Sequence, residues 1–173
     1  MEKIIVGFSK PKSWKPFAWL IMKGYGISYD HVYIKFYSDS YDRDIIYQAS
    51  STMVNFMSPQ IFIKNNEIIK QFEFNLSEET NIKLIQYCID NAGTPYGIKE
   101  VFGLIWVRIN ELFGKKILNP FRDGKKTFVC CELAAIILKE FLNIEIKEDL
   151  DTINPKELYE LIESVKKPEI KQL

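Results

Sequence analysis

The sequence has a single histidine, His31, in 173 residues, and only three cysteines, two of them adjacent at Cys130 and Cys131. One histidine, with no CxxC or HxxxH spacing, leaves too few soft ligands for zinc, so neither a metal nor another cofactor is expected. An odd cysteine count without framework spacing excludes a secreted disulfide scaffold and suits a reducing compartment. Charge of one sign is missing as well. Lys+Arg and Asp+Glu stand at 23 each, so no global field gathers nucleic acid or an anionic membrane. No Gly-rich phosphate loop or dinucleotide fingerprint is present, and the Lys-rich segment 114–126 reads as solvated loop. The most apolar stretch, Val101 to Leu118, is interrupted by Arg108, Asn110 and Glu111, which excludes a transmembrane helix. The opening MEKIIVGFSKPKSW reaches Lys-Pro-Lys before a signal h-region could form. A cytoplasmic protein is expected, in a bacterial or phage-type setting.

Apolar side chains, by contrast, are plentiful. At 47% hydrophobic, with 12 Phe and 9 Tyr, the chain can fill one core without a staple, and residues 1–173 read as one domain with a frayed tail over 164–173. KIIVGF reads as a buried strand and Pro16 opens a helix that Gly24 and Gly26 close. HVYIKFY (31–37) and IIYQA (45–49) have the β-branched and aromatic content of neighbouring strands. IFIKNN and EIIKQFEF predict one or two more, with Asn65-Asn66 as a hairpin turn. Ser77 caps a helix to about Asn91 whose Ile82, Ile85, Ile89 line should face inward. Further helices are expected over 99–113, with Val101, Leu104, Ile105, Ile109 and Leu112 on one face, and over 130–143. Asn154-Pro155-Lys156-Glu157 caps a last one. The fold class that follows is α+β, an antiparallel sheet packed against helices.

Cys130 follows the β-prone Thr127-Phe128-Val129 and precedes ELAAIILKEF, which sets it in the first turn of a helix. Unpaired N–H groups and the positive dipole end there favour thiolate and can form part of an oxyanion hole. A small apolar cysteine packed at a helix start satisfies the same pattern. Cys131 is its local rival, since adjacent helical residues point about 100° apart. Cys88, within an amphipathic helix, reads as core. Any Cys–His pair must use His31. Gln48, on the neighbouring strand, can fix the imidazole tautomer.

Several short motifs resemble one family. GTPYG (93–97) and CCELA (130–134) are similar to the G-x-P-Y and C-S-G/E-L signatures of NlpC-type papain-like hydrolases. DHVYI (30–34) and YQAS (47–50) resemble that family's His strand and the strand after it. His precedes Cys here, which resembles the circularly permuted branch containing YiiX-like proteins and relatives of lecithin:retinol acyltransferase. NPKELYE (154–160) is similar to the T/S-P-x-D-L segment of YiiX-like members. The resemblance implies a papain-like fold, with Cys130 as nucleophile, His31 as base and then acid, Gln48 as third member, and Tyr96 and Cys131 beside the oxyanion. It implies hydrolysis of a peptide-like or acyl-amide substrate through a thioester, or, alternatively, lipid acyl transfer or phospholipase chemistry, or a scaffold that binds without turnover. Departures from the pattern are Cys131 in place of Ser or Thr, Asp30 in place of Ser, and Tyr33, able to narrow the cleft, in place of Gly. The 98–126 segment is longer than in compact members. Its Phe102 and Trp106 either wall a substrate site or pack conventionally.

Overall fold

The computed structural model describes residues 2–38, 42–50, 52–115, 117–121, 127–147, 149–150 and 152–166. In chain order the elements are β1 (Glu2–Pro11), α1 (Pro16–Tyr25), β2 (His31–Ser38), β3 (Arg43–Ala49), β4 (Val54–Met57), α2 (Pro59–Asn65), β5 (Asn66–Leu76), α3 (Glu78–Asn91), α4 (Ile98–Leu112), α5 (Cys130–Leu142) and α6 (Pro155–Lys166). The five strands form one sheet in the order β4-β3-β2-β1-β5, antiparallel at every pairing. The expected α+β class and antiparallel sheet are therefore found.

Alternation along the central strands decides which face is covered. Ile4, Val6 and Phe8 of β1 and Val32, Ile34 and Phe36 of β2 share a core with Leu133, Ile137 and Leu138 of α5, Leu84 of α3, and Leu158 and Ile162 of α6. Each such side chain contributes about 1.5–3 kcal/mol of burial. The helix α5 lies centrally in this layer, so the position of its first residue is fixed by many packed groups. On the opposite face Phe62 of α2 covers Tyr33 and Ile46, all three essentially sealed from solvent.

Three expectations are corrected. Residues 59–65 are helical, not a strand. Ile61 and Ile63 alternate like a strand, but both are exposed, and Pro59 sets a first helical turn that swings Phe62 alone onto Tyr33. Asn65-Asn66 is consequently no hairpin turn. The two side-chain amides donate to Ile61 O and Phe62 O at the helix end, and β5 starts at once. On α3 the inward row is Asn81, Leu84 and Cys88. Of the expected line, Ile85 packs against the core at its edge, while Ile82 and Ile89 are 62% and 55% exposed. Both rows have helical spacing, and the one that meets the core was decided by packing that local sequence does not contain. The strand β4 was not anticipated.

Other boundaries agree with the capping chemistry. Ser77 Oγ accepts from Thr80 N, and Gly26 ends α1 at φ +67°, the left-handed region that glycine enters without penalty. Asn154 Oδ1 accepts from Lys156 N and Glu157 N, while Asn154 N donates to Glu157 Oε2, a reciprocal box ahead of α6. Ser164–Lys166 is the last turn of that helix, with the Lys166 ammonium on Glu73 O and over the Phe74 ring. The rest of the expected tail, 167–173, lies outside the described residues. Among the described residues no helix is long and apolar enough to cross a membrane.

Candidate active site

The β2–β3 register pairs Ile34 with Tyr47, which sets Gln48 opposite Tyr33 and diagonal to His31 on one face. A long side chain spans that diagonal. His31 Nε2 lies 2.7 Å from Gln48 Oε1. A carboxamide oxygen only accepts, so Nε2 carries the proton and Nδ1 is the nitrogen left for a thiol. Gln48 is itself held. Its amide donates to Asn55 Oδ1 at 3.4 Å and points at Met57 Sδ, and Asn55 in turn donates to Ser50 Oγ at 2.8 Å and Met53 O at 3.1 Å. Asn55 stands directly across the β3–β4 ladder from Gln48. Sequence inspection missed it because the strand that carries it was missed.

Cys130 is the first residue of α5, after an extended Val129 whose N–H donates to Glu132 Oε2. Its Sγ lies 3.8 Å from Cys131 Sγ. The two thiols are driven apart in acidity. The Cys131 S–H donates to Cys130; with the hydrogen bond and charge of His31 and the Val32 N–H, this outweighs desolvation and holds Cys130 well below the ordinary thiol range. Burial, followed by the hydrogen bond and negative charge of Cys130, pushes Cys131 well above it. Burial opposes a charged imidazole at His31, yet the hydrogen bond and charge of Cys130, the Gln48 contact and the Asp30 charge together raise its pKa. The pair therefore favours thiolate–imidazolium, with Cys130 as the ionised thiol.

Tyr96 reaches this sulfur from a third direction. Phe128 N donates to Pro95 O and Gly97 N to Phe128 O, which fastens the GTPYG stretch alongside the segment entering α5. Burial, then the charges of Cys130 and Cys131 and a hydrogen bond to Cys130, keeps the Tyr96 hydroxyl protonated and available as a donor. All five expected site residues, Cys130, His31, Gln48, Tyr96 and Cys131, are thus together. Asp30, noted in the sequence only as a departure, adjoins them. Burial pushes its carboxyl up to about 6 against the lowering effect of His31, and its buried Oδ1 finds no hydrogen-bond partner among the described residues.

Two spaces meet at the site. A cleft of 420 Å³ of mixed character is lined by His31, Gln48, Lys15 and Asn65 on its polar side and by Phe17 and Met57 on its apolar side, among others. An apolar chamber of 20 Å³ lies against Cys130 and Cys131, walled by Tyr25, Val101, Leu104 and Ile105. Ile21, Asp30 and Tyr96 line both and form the neck between them. Cys130 is only 4% exposed and borders the chamber, not the cleft. Phe102 and Trp106 line neither space. The walls on α4 come from its inner face, and Phe102 instead meets Phe17 edge-on. Tyr33 does not narrow the cleft, because Phe62 covers it and Gln71 binds its hydroxyl on the α2 side. Among the described residues no group of three His, Cys, Asp or Glu could hold a metal. Compared with family models, curated proteins and solved structures, the chain matches none, and its chemistry has to be argued from these residues.

Proposed function

We propose that this protein is a cysteine hydrolase of permuted papain-like type that cleaves an amide bond through a thioester on Cys130. The observation that carries this reading is the single histidine, with Nε2 fixed on Gln48 at 2.7 Å and its remaining nitrogen available to a thiol at a helix N-terminus. In the cycle the Cys130 thiolate, its proton already held on His31 Nδ1, attacks the carbonyl carbon. The oxyanion accepts from the α5 first-turn amides and the Tyr96 hydroxyl. Imidazolium then protonates the departing amine, and a water deprotonated by His31 hydrolyses the thioester and restores the thiol.

The cleft's lysine, serine and amide side chains suit a peptide-like substrate. Lipid acyl transfer is the second reading, favoured by the apolar chamber beside the thiol. At 20 Å³ that chamber holds about one water, so an acyl chain would have to part α1 from α4 to enter. Amide cleavage is therefore the better supported.

Timed alkylation with iodoacetamide at pH 7, read by peptide mapping, tests the proposal. Cys130 should react at least 100-fold faster than Cys88 and Cys131, and His31→Ala should remove most of that advantage. Equal rates at the three thiols, or a fast Cys130 in the His31→Ala variant, would overturn it.

A further inference from the structure

All three tryptophans of this chain are exposed: Trp14 by 75%, Trp19 by 48% and Trp106 by 53%. Tryptophan is normally the most deeply invested of core residues, so three on the surface need a reason. They lie on or beside two helices that touch. Phe17 of α1 meets Phe102 of α4 at 5.3 Å, Tyr25 donates to Leu104 O, and Arg108 Nε donates to Gly24 O, so α1 and α4 run side by side along their length. Outward on α4 are Phe102, Trp106 and, just past its end, Phe113, at i, i+4 and i+11, each more than half exposed. On α1 Trp19 and Leu20 are exposed, with Trp14 just ahead of the helix.

The charge around this patch is one-sided although the whole chain is neutral. Residues 10–29 hold four lysines and no acid; Lys10 is paired with Glu67 at 3.3 Å, which leaves Lys12, Lys15 and Lys23 to set the charge of the patch. On α4, Glu100 is buried and Glu111 is paired with Arg108 at 3.0 Å, while Lys99 and Lys115 are exposed at its two ends. Large apolar side chains rimmed by lysine, tryptophan foremost, are the composition of a surface that sits in the headgroup layer of an anionic bilayer. With the acids of the two helices buried or paired, the rim complements an anionic surface, which singles out an anionic bilayer as the occupant.

We infer that the α1–α4 region docks this protein onto anionic lipid bilayers, with Trp14, Trp19, Phe102 and Trp106 entering the interface and the exposed Lys12, Lys15 and Lys23 pairing with headgroups. The inference goes beyond the proposed hydrolysis and holds whether or not Cys130 turns over a substrate. Because α1 also supplies Lys15, Phe17 and Ile21 to the cleft, docking would bring the cleft near the membrane surface.

The full chain, in wild-type and Cys130→Ala forms, is mixed with vesicles of phosphatidylcholine alone or of phosphatidylcholine with phosphatidylglycerol, then assayed by co-sedimentation and tryptophan emission. Every tryptophan lies on or just ahead of α1 or on α4, so a blue shift reports burial of these two helices. Both forms should bind the anionic vesicles with a blue shift, at least tenfold more weakly without phosphatidylglycerol. Trp19→Ala/Trp106→Ala should weaken binding about tenfold or more, and Lys12→Ser/Lys23→Ser about tenfold, with circular dichroism unchanged in each. Absence of binding, equal binding to neutral vesicles, or full binding by the tryptophan variant would overturn the inference. So would a lipid-free dimer dissolved by the same substitutions, which would assign the face to a second copy of the chain.

Discussion

Asp30→Asn should make the protein more stable at neutral pH and no more stable in acid. The carboxyl has an ordinary value near 3.8, and burial raises it in the fold to about 6 although His31 pulls the other way. A raised carboxyl pKa means that the fold prefers the protonated form. Its stabilising contribution is complete below pH 3.8 and is lost as pH climbs through about 6. At pH 7 the ionised group then costs the fold on the order of 2–3 kcal/mol. Asparagine has no charge to desolvate, and its shape is the same. The variant should therefore gain that amount at pH 7, a rise in Tm of roughly 5–10 °C for a chain of this length. Urea unfolding of both proteins at half-unit steps from pH 4 to 8 measures the difference, which should grow from near zero and level off above pH 7. A difference that does not change with pH would refute the reasoning. Activity should move the opposite way. Asp30 is among the charges that raise His31, so the alkaline limb of the rate profile should fall to lower pH in the variant.

Gln48→Ala should lower kcat on the order of 100-fold with KM little changed, since the imidazole loses the partner that keeps its proton on Nε2, and Asn55→Ala should reproduce a smaller part of that loss. Cys131→Ala should slow alkylation of Cys130 at pH 6 by roughly fivefold, the worth of one weak hydrogen bond of about 1 kcal/mol to the thiolate, without abolishing it. Unchanged Cys130 alkylation in the variant would refute the Cys131 hydrogen bond as a source of its acidity. Gly7→Ala should cost at least about 1–3 kcal/mol by chemical denaturation, because its Cβ would fall inside the ring of Tyr33, which Phe62 and Gln71 hold in place. The double variant Gly7→Ala/Tyr33→Leu should recover part of it.

What could be read from the sequence divides along a physical line. Capping groups act within four residues, so Ser77, Pro16 with Gly26, and Asn154 with Glu157 mark their helices correctly. Cys130 at a helix start is equally local. Features that depend on distant partners were not legible. The row of α3 that faces inward depends on where the sheet lies. The helix at 59–65 depends on Phe62 finding Tyr33 from across the chain. Asn55 and the neck at Ile21, Asp30 and Tyr96 depend on strand register and on α1 folding over the cleft. The His31–Gln48 pair is an intermediate case. Two strands joined by a short turn bring them together with few alternatives, and a lone histidine has no competitor.

The contrast between Cys88 and Cys130 shows why position rather than burial has to be the criterion for a reactive thiol. Both are buried in the same core. At Cys88 desolvation acts alone and pushes the thiol far up, which leaves it a small hydrophobe packed behind Tyr47. At Cys130 burial also opposes the charged form, but a Cys131 S–H, the His31 imidazole and the Val32 N–H act on one sulfur and reverse the sign. Cys130 is only 4% exposed, with the neck of Ile21, Asp30 and Tyr96 between its chamber and the cleft, and in such a shielded setting an ion pair with His31 is stronger than in water. Ile21→Ala should widen that neck, and a bulky maleimide should then alkylate Cys130 faster while small iodoacetamide gains little. Equal acceleration of both reagents would place the barrier in the chemistry of the thiol instead of in access to it.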